Sequence, residues 1–148
     1  MAGELGASGG VGAREHYRTS GRVLVIDEDL NKRLAPELRH RLRPAHFILE
    51  FLPTGSDDDV VLAFVAERFT DAVLVTGDND MPWEHAGAIE ETNATVAIVA
   101  PCAPQDPNED AYEREIVHRW AHRMHEQETG TILRYHLSGP VPWTPKKR

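Results

Sequence analysis

Residues 73–82, VLVTGDNDMP, set an apolar run directly against two aspartates, Asp78 and Asp80, separated by a single residue. Gly77, Asn79 and Pro82 are turn formers, so an ordinary turn after a core strand accounts for the change in character. A second reading is that a buried strand ends by delivering two carboxylates to a metal site. The rest of the chain bears on the choice.

The same signature occurs upstream, where residues 23–26, VLVI, run into Asp27, Glu28 and Asp29. Unbroken apolar runs of this kind suit strands buried on both faces. Further strands are expected at 47–52, 72–75 and 95–100, and residues 131–137 alternate like an edge strand. Between them, Leu30, Leu34, Leu38 and Leu42 recur every fourth residue and predict one apolar helix face, with Pro36 kinking it or setting off a separate turn. Ser56 and Asp59 have the spacing of a capping box for a helix that carries Val61, Leu62 and Val65 inward. Further helices are expected at 85–91 and 110–127. Strands alternating with helices predict an α/β domain with a largely parallel sheet.

In such sheets ligands bind beyond the carboxyl ends of the strands. The acids at 27–29 and the pair Asp78 and Asp80 then share one edge of the sheet. Asp57, Asp58 and Asp59 open the intervening helix, where its dipole favours carboxylates. All three groups converge if the strands at 23–26 and 72–75 are neighbours.

The totals set limits on function. A chain of 148 residues with 41% hydrophobic and 27% charged content fits one globular domain. Its net charge of −8 argues against bulk electrostatic binding of nucleic acid and leaves room only for a local basic rim. Cys102 is the only cysteine, so no disulfide forms within the sequence, and a cytoplasmic setting is the simplest expectation. No apolar run approaches the roughly 20 residues of a membrane helix. Residues 1–20 read as a flexible leader, not a secretory signal, residues 21–138 as the folded domain, and 139–148, GPVPWTPKKR, as an extended Pro-rich basic tail.

Carboxylates brought together raise one another's pKa unless a cation neutralises them. All-oxygen ligands favour Mg²⁺ or Mn²⁺ over Zn²⁺, and such ions suit phosphodiester hydrolysis. The plainer reading treats each acidic group as a separate cap or turn.

The stretches VLVIDEDLNKRLAPELRHRL (23–42), GSDDDVVLAFVAERF (55–69) and AVLVTGDNDMP (72–82) together resemble the PIN-like nuclease family, in particular the short bacterial branch related to VapC-type toxins. The resemblance covers about residues 22–82, with plausible topology to about 100. It implies a three-layer α/β/α PIN-like fold and a Mg²⁺- or Mn²⁺-dependent endoribonuclease, often the toxin of a toxin–antitoxin pair. It places the family's metal-holding, catalytic acids on Asp27, Asp78 and Asp80 and its hydroxyl on Thr76. The helix-start acid falls on Asp58 if residues 62–65 set the register, or on Asp57 if Val60 does, and the former is preferred. Thr76 would orient the attacking water or an acidic ligand, and Lys32, Arg33 and Arg39 would position phosphates. The implied partners are an RNA substrate, an antitoxin protein and a second copy of the chain in a homodimer. Asp29 stands where the family usually has Asn, Met81-Pro82 replaces its usual Phe, and residues 101–148 have no counterpart. The alternative is a catalytically inactive PIN-like module that recruits a basic protein.

A second resemblance, of RVLVIDED (22–29) and VLVTGDNDMP, is to response-regulator receivers. That device needs an Asp closing the third strand and a Lys beyond a later one. Here Thr76 closes the strand, and the lysines are Lys32, Lys146 and Lys147.

His118, His122 and His125 fall at i, i+4 and i+7, a spacing that can present metal ligands. A helical wheel puts Tyr112, Ile116, Trp120 and Met124 on the buried stripe and the three histidines towards water. Trp83 and His85 directly follow the acidic turn, either to stack on a base or shape the cleft, or as a hydrophobic helix entry, the favoured reading.

Overall fold

The computed structural model describes residues 22–100 and 108–145. The expected leader, Cys102 and the basic residues 146–148 lie outside them. One sheet contains β1 (Val23–Ile26), β2 (Ala45–Phe47), β3 (Ala72–Thr76), β4 (Thr95–Val99), β5 (Ile132–His136) and β6 (Gly139–Pro142). The spatial order is β2-β1-β3-β4-β5-β6, parallel throughout except for β6, which runs antiparallel to β5. Helices α1 (Leu34–His40), α2 (Asp58–Arg68), α3 (Met81–Glu84), α4 (Ala86–Thr92) and α5 (Glu109–His125) connect the strands. They cover both faces, so the fold is a three-layer α/β/α sandwich, as the alternation of elements predicts.

The apolar runs explain the layering. Successive side chains of a strand point to opposite faces. Leu24, Ile26, Val73 and Val75 therefore enter one core with Leu34, Leu38, Ile116 and Met124 from α1 and α5. Val25, Leu74, Val96 and Ile98 enter the other with Val61, Leu62 and Val65 of α2 and Met81 of α3. Burying each large aliphatic side chain contributes about 1.5–3 kcal/mol before conformational entropy is subtracted.

Several local expectations change. Strand β2, Ala45–Phe47, ends before the expected 52, because Ile48–Glu50 coil into a 3-10 turn in which the Glu50 carboxylate accepts the Phe47 N–H at 2.8 Å. Helix α1 starts at Leu34, so Pro36 sits in the first turn, where a missing N–H costs nothing. The capping box does not form: Asp57 is the N-cap residue and Ser56 Oγ donates to the Pro53 carbonyl at 2.7 Å. The helix expected at 85–91 forms as Ala86–Thr92, and a short extra helix, Met81–Glu84, precedes it.

The C-terminal region differs most. Strand β5 is not an edge, because β6 pairs along it, with Tyr135 opposite Pro140. The stretch expected to be an extended arm thus begins as a strand. On α5 the buried residues are Ile116, Val117, Ala121, Met124 and His125, with Tyr112 and Trp120 only half-buried. Of the three histidines only His122 is exposed. The wheel had the apolar stripe rotated, because β5 and β6 take up Trp120, whose indole donates to the Leu137 carbonyl at 3.0 Å.

Candidate functional site

Two strands end in the same crevice. From β1 the chain moves outward to β2, then returns across to β3 on the other side of β1. Such a reversal opens a crevice beyond the carboxyl ends of the two central strands, where doubly wound folds bind their ligands. Strands β1 and β3 are in register with Ile26 beside Val75, so Asp27 and Thr76, the next residues, emerge together. The neighbour relation on which convergence depends is present.

Asp27 is almost fully buried and Thr76 completely so. The Thr76 hydroxyl donates to Asp27 Oδ2 at 3.0 Å, and the Glu28 N–H donates to Asp27 Oδ1 at 2.8 Å. Burial pushes the Asp27 pKa up, these two hydrogen bonds oppose the rise, and the charges of Glu28 and Asp78 add to it. The Thr76 oxygen in turn accepts the Asp78 N–H at 3.2 Å. Thr76 is thus a hinge pin between the two acidic segments, and of the two roles open to it the geometry favours orienting an acid.

Asp29, which had no assigned role, belongs to the centre. Although it is an exposed residue, its carboxylate is turned inward onto the Gly77 N–H, at 3.1 and 3.2 Å, and lies 3.4 Å from Thr76 Oγ1. Burial of the carboxyl, with Asp27 and Asp78 beside it, pushes its pKa up to about 6. Glu113 of α5 is the other acid missed from sequence. Its pKa is pushed up to about 7 by burial and by the charges of Glu109, Asp29 and Asp110. Gly77 makes this approach possible: a methyl group there would lie 3.3 Å from Asp29 Oδ2 and 3.4 Å from Glu113 Oε2. Nothing in the local pattern of residues 109–127 marks Glu113 out. Only the return of α5 to the end of β3 does so.

At the start of α2, Asp58 is half-buried and Asp57 exposed. The Asp58 pKa is raised by burial and by the charges of Asp27 and Asp78, partly offset by His85. His85 Nδ1 lies 2.7 Å from Asp59 Oδ1 and its Nε2 3.5 Å from Asp58 Oδ2. Burial alone would lower the His85 pKa, but the Asp59 hydrogen bond and the Asp58 charge raise it overall. His85 therefore shapes the acidic edge. The buried helix entry is Met81-Pro82, and Trp83 stands 50% exposed beside it. Asp80 heads α3, and its N–H donates to Asp78 Oδ1 at 2.9 Å. This bond fixes the Asp78 side chain.

Among the assigned phosphate contacts, Lys32 and Arg33 are exposed in the turn before α1. Arg39 Nη1 donates to the Ala45 carbonyl at 2.8 Å and to Glu50 at 3.2 Å, tying α1 to β2. One further contact reaches the site from far along the chain: the Trp143 indole donates to the Asn79 carbonyl at 2.9 Å. The segment after β6 thereby pins the turn that carries Asp78 and Asp80.

The donor chemistry, carboxylate oxygens without thiolates, matches a hard divalent cation. The spacing is open: among the described residues, no three acidic, histidine or cysteine side chains stand close enough to share one ion. Three of the acids, Asp27, Asp29 and Asp78, already accept hydrogen bonds from the protein. At the end of β3 stands Thr76 and at the end of β5 His136, positions where a receiver would need Asp and Lys. Among the described residues no helix is long and apolar enough to cross a membrane. Comparison with family models, curated proteins and solved structures gives no match.

Proposed function

We propose that the chain is a metal-dependent ribonuclease of the PIN-like kind, cleaving RNA phosphodiester bonds at the crevice between β1 and β3. One observation carries this reading: at the switch point of the sheet, burial and the nearby charge of Asp78 raise the pKa of Asp27, Asp29 and Asp58, carboxyls from two further segments. Like charges crowded in this way favour uptake of a cation. To hold Mg²⁺ or Mn²⁺, Asp27, Asp58 and Asp78 would have to draw together around the ion, with Asp80 fixing Asp78 from behind. Such an ion supplies polarisation of a phosphoryl oxygen and a more acidic water.

The chain's own groups do the positioning. Thr76 keeps the Asp27 carboxylate turned into the crevice, and Gly77 holds Asp29 beside it. Lys32 and Arg33 are free to meet phosphates, and the exposed Trp83 offers a face on which an unpaired base can stack. As a toxin, the enzyme would be held in check by an antitoxin covering this edge. The test is cleavage of single-stranded RNA with and without Mn²⁺ by the wild type and Asp27→Asn. Metal-dependent cleavage lost in the variant supports the reading, and equal cleavage by both overturns it.

The open spacing of the acids favours a second reading, an inactive PIN-like fold whose acidic edge recruits a basic protein. Calorimetry with Mn²⁺ separates the two, since the second needs no ion.

A further inference from the structure

Away from the acidic crevice, α1 and α5 enclose an open cavity of about 450 Å³ lined by Pro36, Glu37, His40, Arg41, Arg114 and His118. Its walls carry two arginines and one carboxylate, a formal charge of +1 without the histidines, on a chain whose net charge is −8. The carboxylate, half-buried, orders this charge. Glu37 Oε1 is 2.7 Å from His118 Nε2, and Oε2 accepts from Arg114 Nη2, so both oxygens are engaged. Burial would raise the Glu37 pKa, yet His118 and Arg114 hold it below the usual carboxylate range.

Not every guanidinium donor is used in these contacts. Arg41 Nη1 lies 3.2 Å from His118 Nδ1, a contact that takes one of its five N–H groups. Arg114 Nε is buried with no hydrogen-bond partner. His40 is exposed at the mouth. A rigid guanidinium fork with unused donors, held beside a second guanidinium, matches a phosphate group.

The walls of the groove follow on from the acidic segments along the chain. Arg114 follows Glu113, whose carboxylate lies against Gly77, and His118 is about 6 Å beyond Arg114 along the same helix. The other wall, α1, begins just beyond Asp27 and Asp29.

We propose that this groove binds a phosphate group through Arg41 and Arg114, with His118 in contact with Arg41 as its reporter, and that its natural occupant is a backbone phosphate of a single-stranded polynucleotide. The choice of a polynucleotide rests on the function proposed above, whereas phosphate binding does not. Phosphate contacts position a strand and leave the chemistry to the acidic centre.

The test follows the His118 ring resonances by NMR in chelator, where no metal-dependent cleavage can occur. Inorganic phosphate and a short single-stranded oligoribonucleotide are titrated separately into the wild type, Arg41→Ala, Arg41→Lys and Asp27→Asn. The oligonucleotide should shift His118 in the wild type and in Asp27→Asn. Arg41→Ala should weaken its binding several-fold and lower the salt slope by about one, with Arg41→Lys between. Thermal melts confirm that the variants fold. A response to inorganic phosphate alone reassigns the groove to small phosphates and overturns the polynucleotide. An unmoved His118, or equal affinity in Arg41→Ala, overturns the site itself. If no metal supports RNA cleavage but Arg41-dependent oligonucleotide binding persists, the nuclease reading fails and the groove stands.

Discussion

Thr76 and Asp27 are 49 positions apart in the chain and 3.0 Å apart in space, hydroxyl to carboxylate, at the adjoining ends of β3 and β1. This single bond sets the direction of the most buried acid in the crevice. It also couples Asp27 to the next segment, because the same oxygen accepts the Asp78 N–H.

Replacing Thr76 by Val keeps the shape and removes both interactions. The metal-free protein should lose about 1–2 kcal/mol at pH 8, where Asp27 is left ionised and under-bonded. The loss should shrink as pH falls and Asp27 is protonated in both folded and unfolded chains. Thr76→Ser should restore most of it. Denaturant titrations at pH 8 and pH 4 measure the difference, and a pH-independent loss would point to packing alone.

Asp78→Asn should abolish metal-dependent cleavage while leaving the fold intact. Because Asp78 adds to the raised pKa values of Asp27, Asp29 and Asp58, its neutralisation should slightly stabilise the metal-free protein. Millimolar Mg²⁺ or Mn²⁺ should raise the Tm of the wild type by binding the folded state, and raise that of the variant less. A flat Tm in both ions favours the inactive module.

Glu113 makes stability depend on pH in a defined direction. Its folded pKa, about 7, lies above its ordinary value of 4.5, so the folded chain holds the proton more tightly. Its contribution is therefore fully present below about pH 4.5 and is lost as pH rises through 7. Glu113→Gln should be more stable than wild type at pH 8, by about 1–2 kcal/mol after solvent screening. The gap should close at pH 4. Chemical denaturation in chelator at both pH values decides it, and a gap that widens on acidification refutes the assignment.

Trp143→Phe retains an aromatic ring against the core but loses the bond to the Asn79 carbonyl. We expect a cost of about 1 kcal/mol and a larger fall in kcat than in substrate affinity, since the turn carrying Asp78 is loosened while phosphate contacts remain. Hydrogen exchange at Asp78 and Asp80 should speed up in the variant. Unchanged exchange there would make Trp143 a packing residue only.

The layers and the acids at the strand ends are legible in the residues alone. Runs such as 23–26 and 72–75 are apolar at every position, which only burial on both faces accommodates, and Asp27 and Thr76 follow from where those runs stop. The tertiary structure decided what meets them there. That β1 lies beside β3, that α5 returns Glu113 against Gly77, and that Trp143 reaches back to Asn79 depend on pairings across long stretches of chain. Periodicity over neighbouring residues carries no record of such pairings. The same holds for His125, which a helical wheel turned to water but which the packing of α5 buries. A wheel gives only the relative angles of side chains around one helix, and the sheet that α5 packs against chooses which of them points inward.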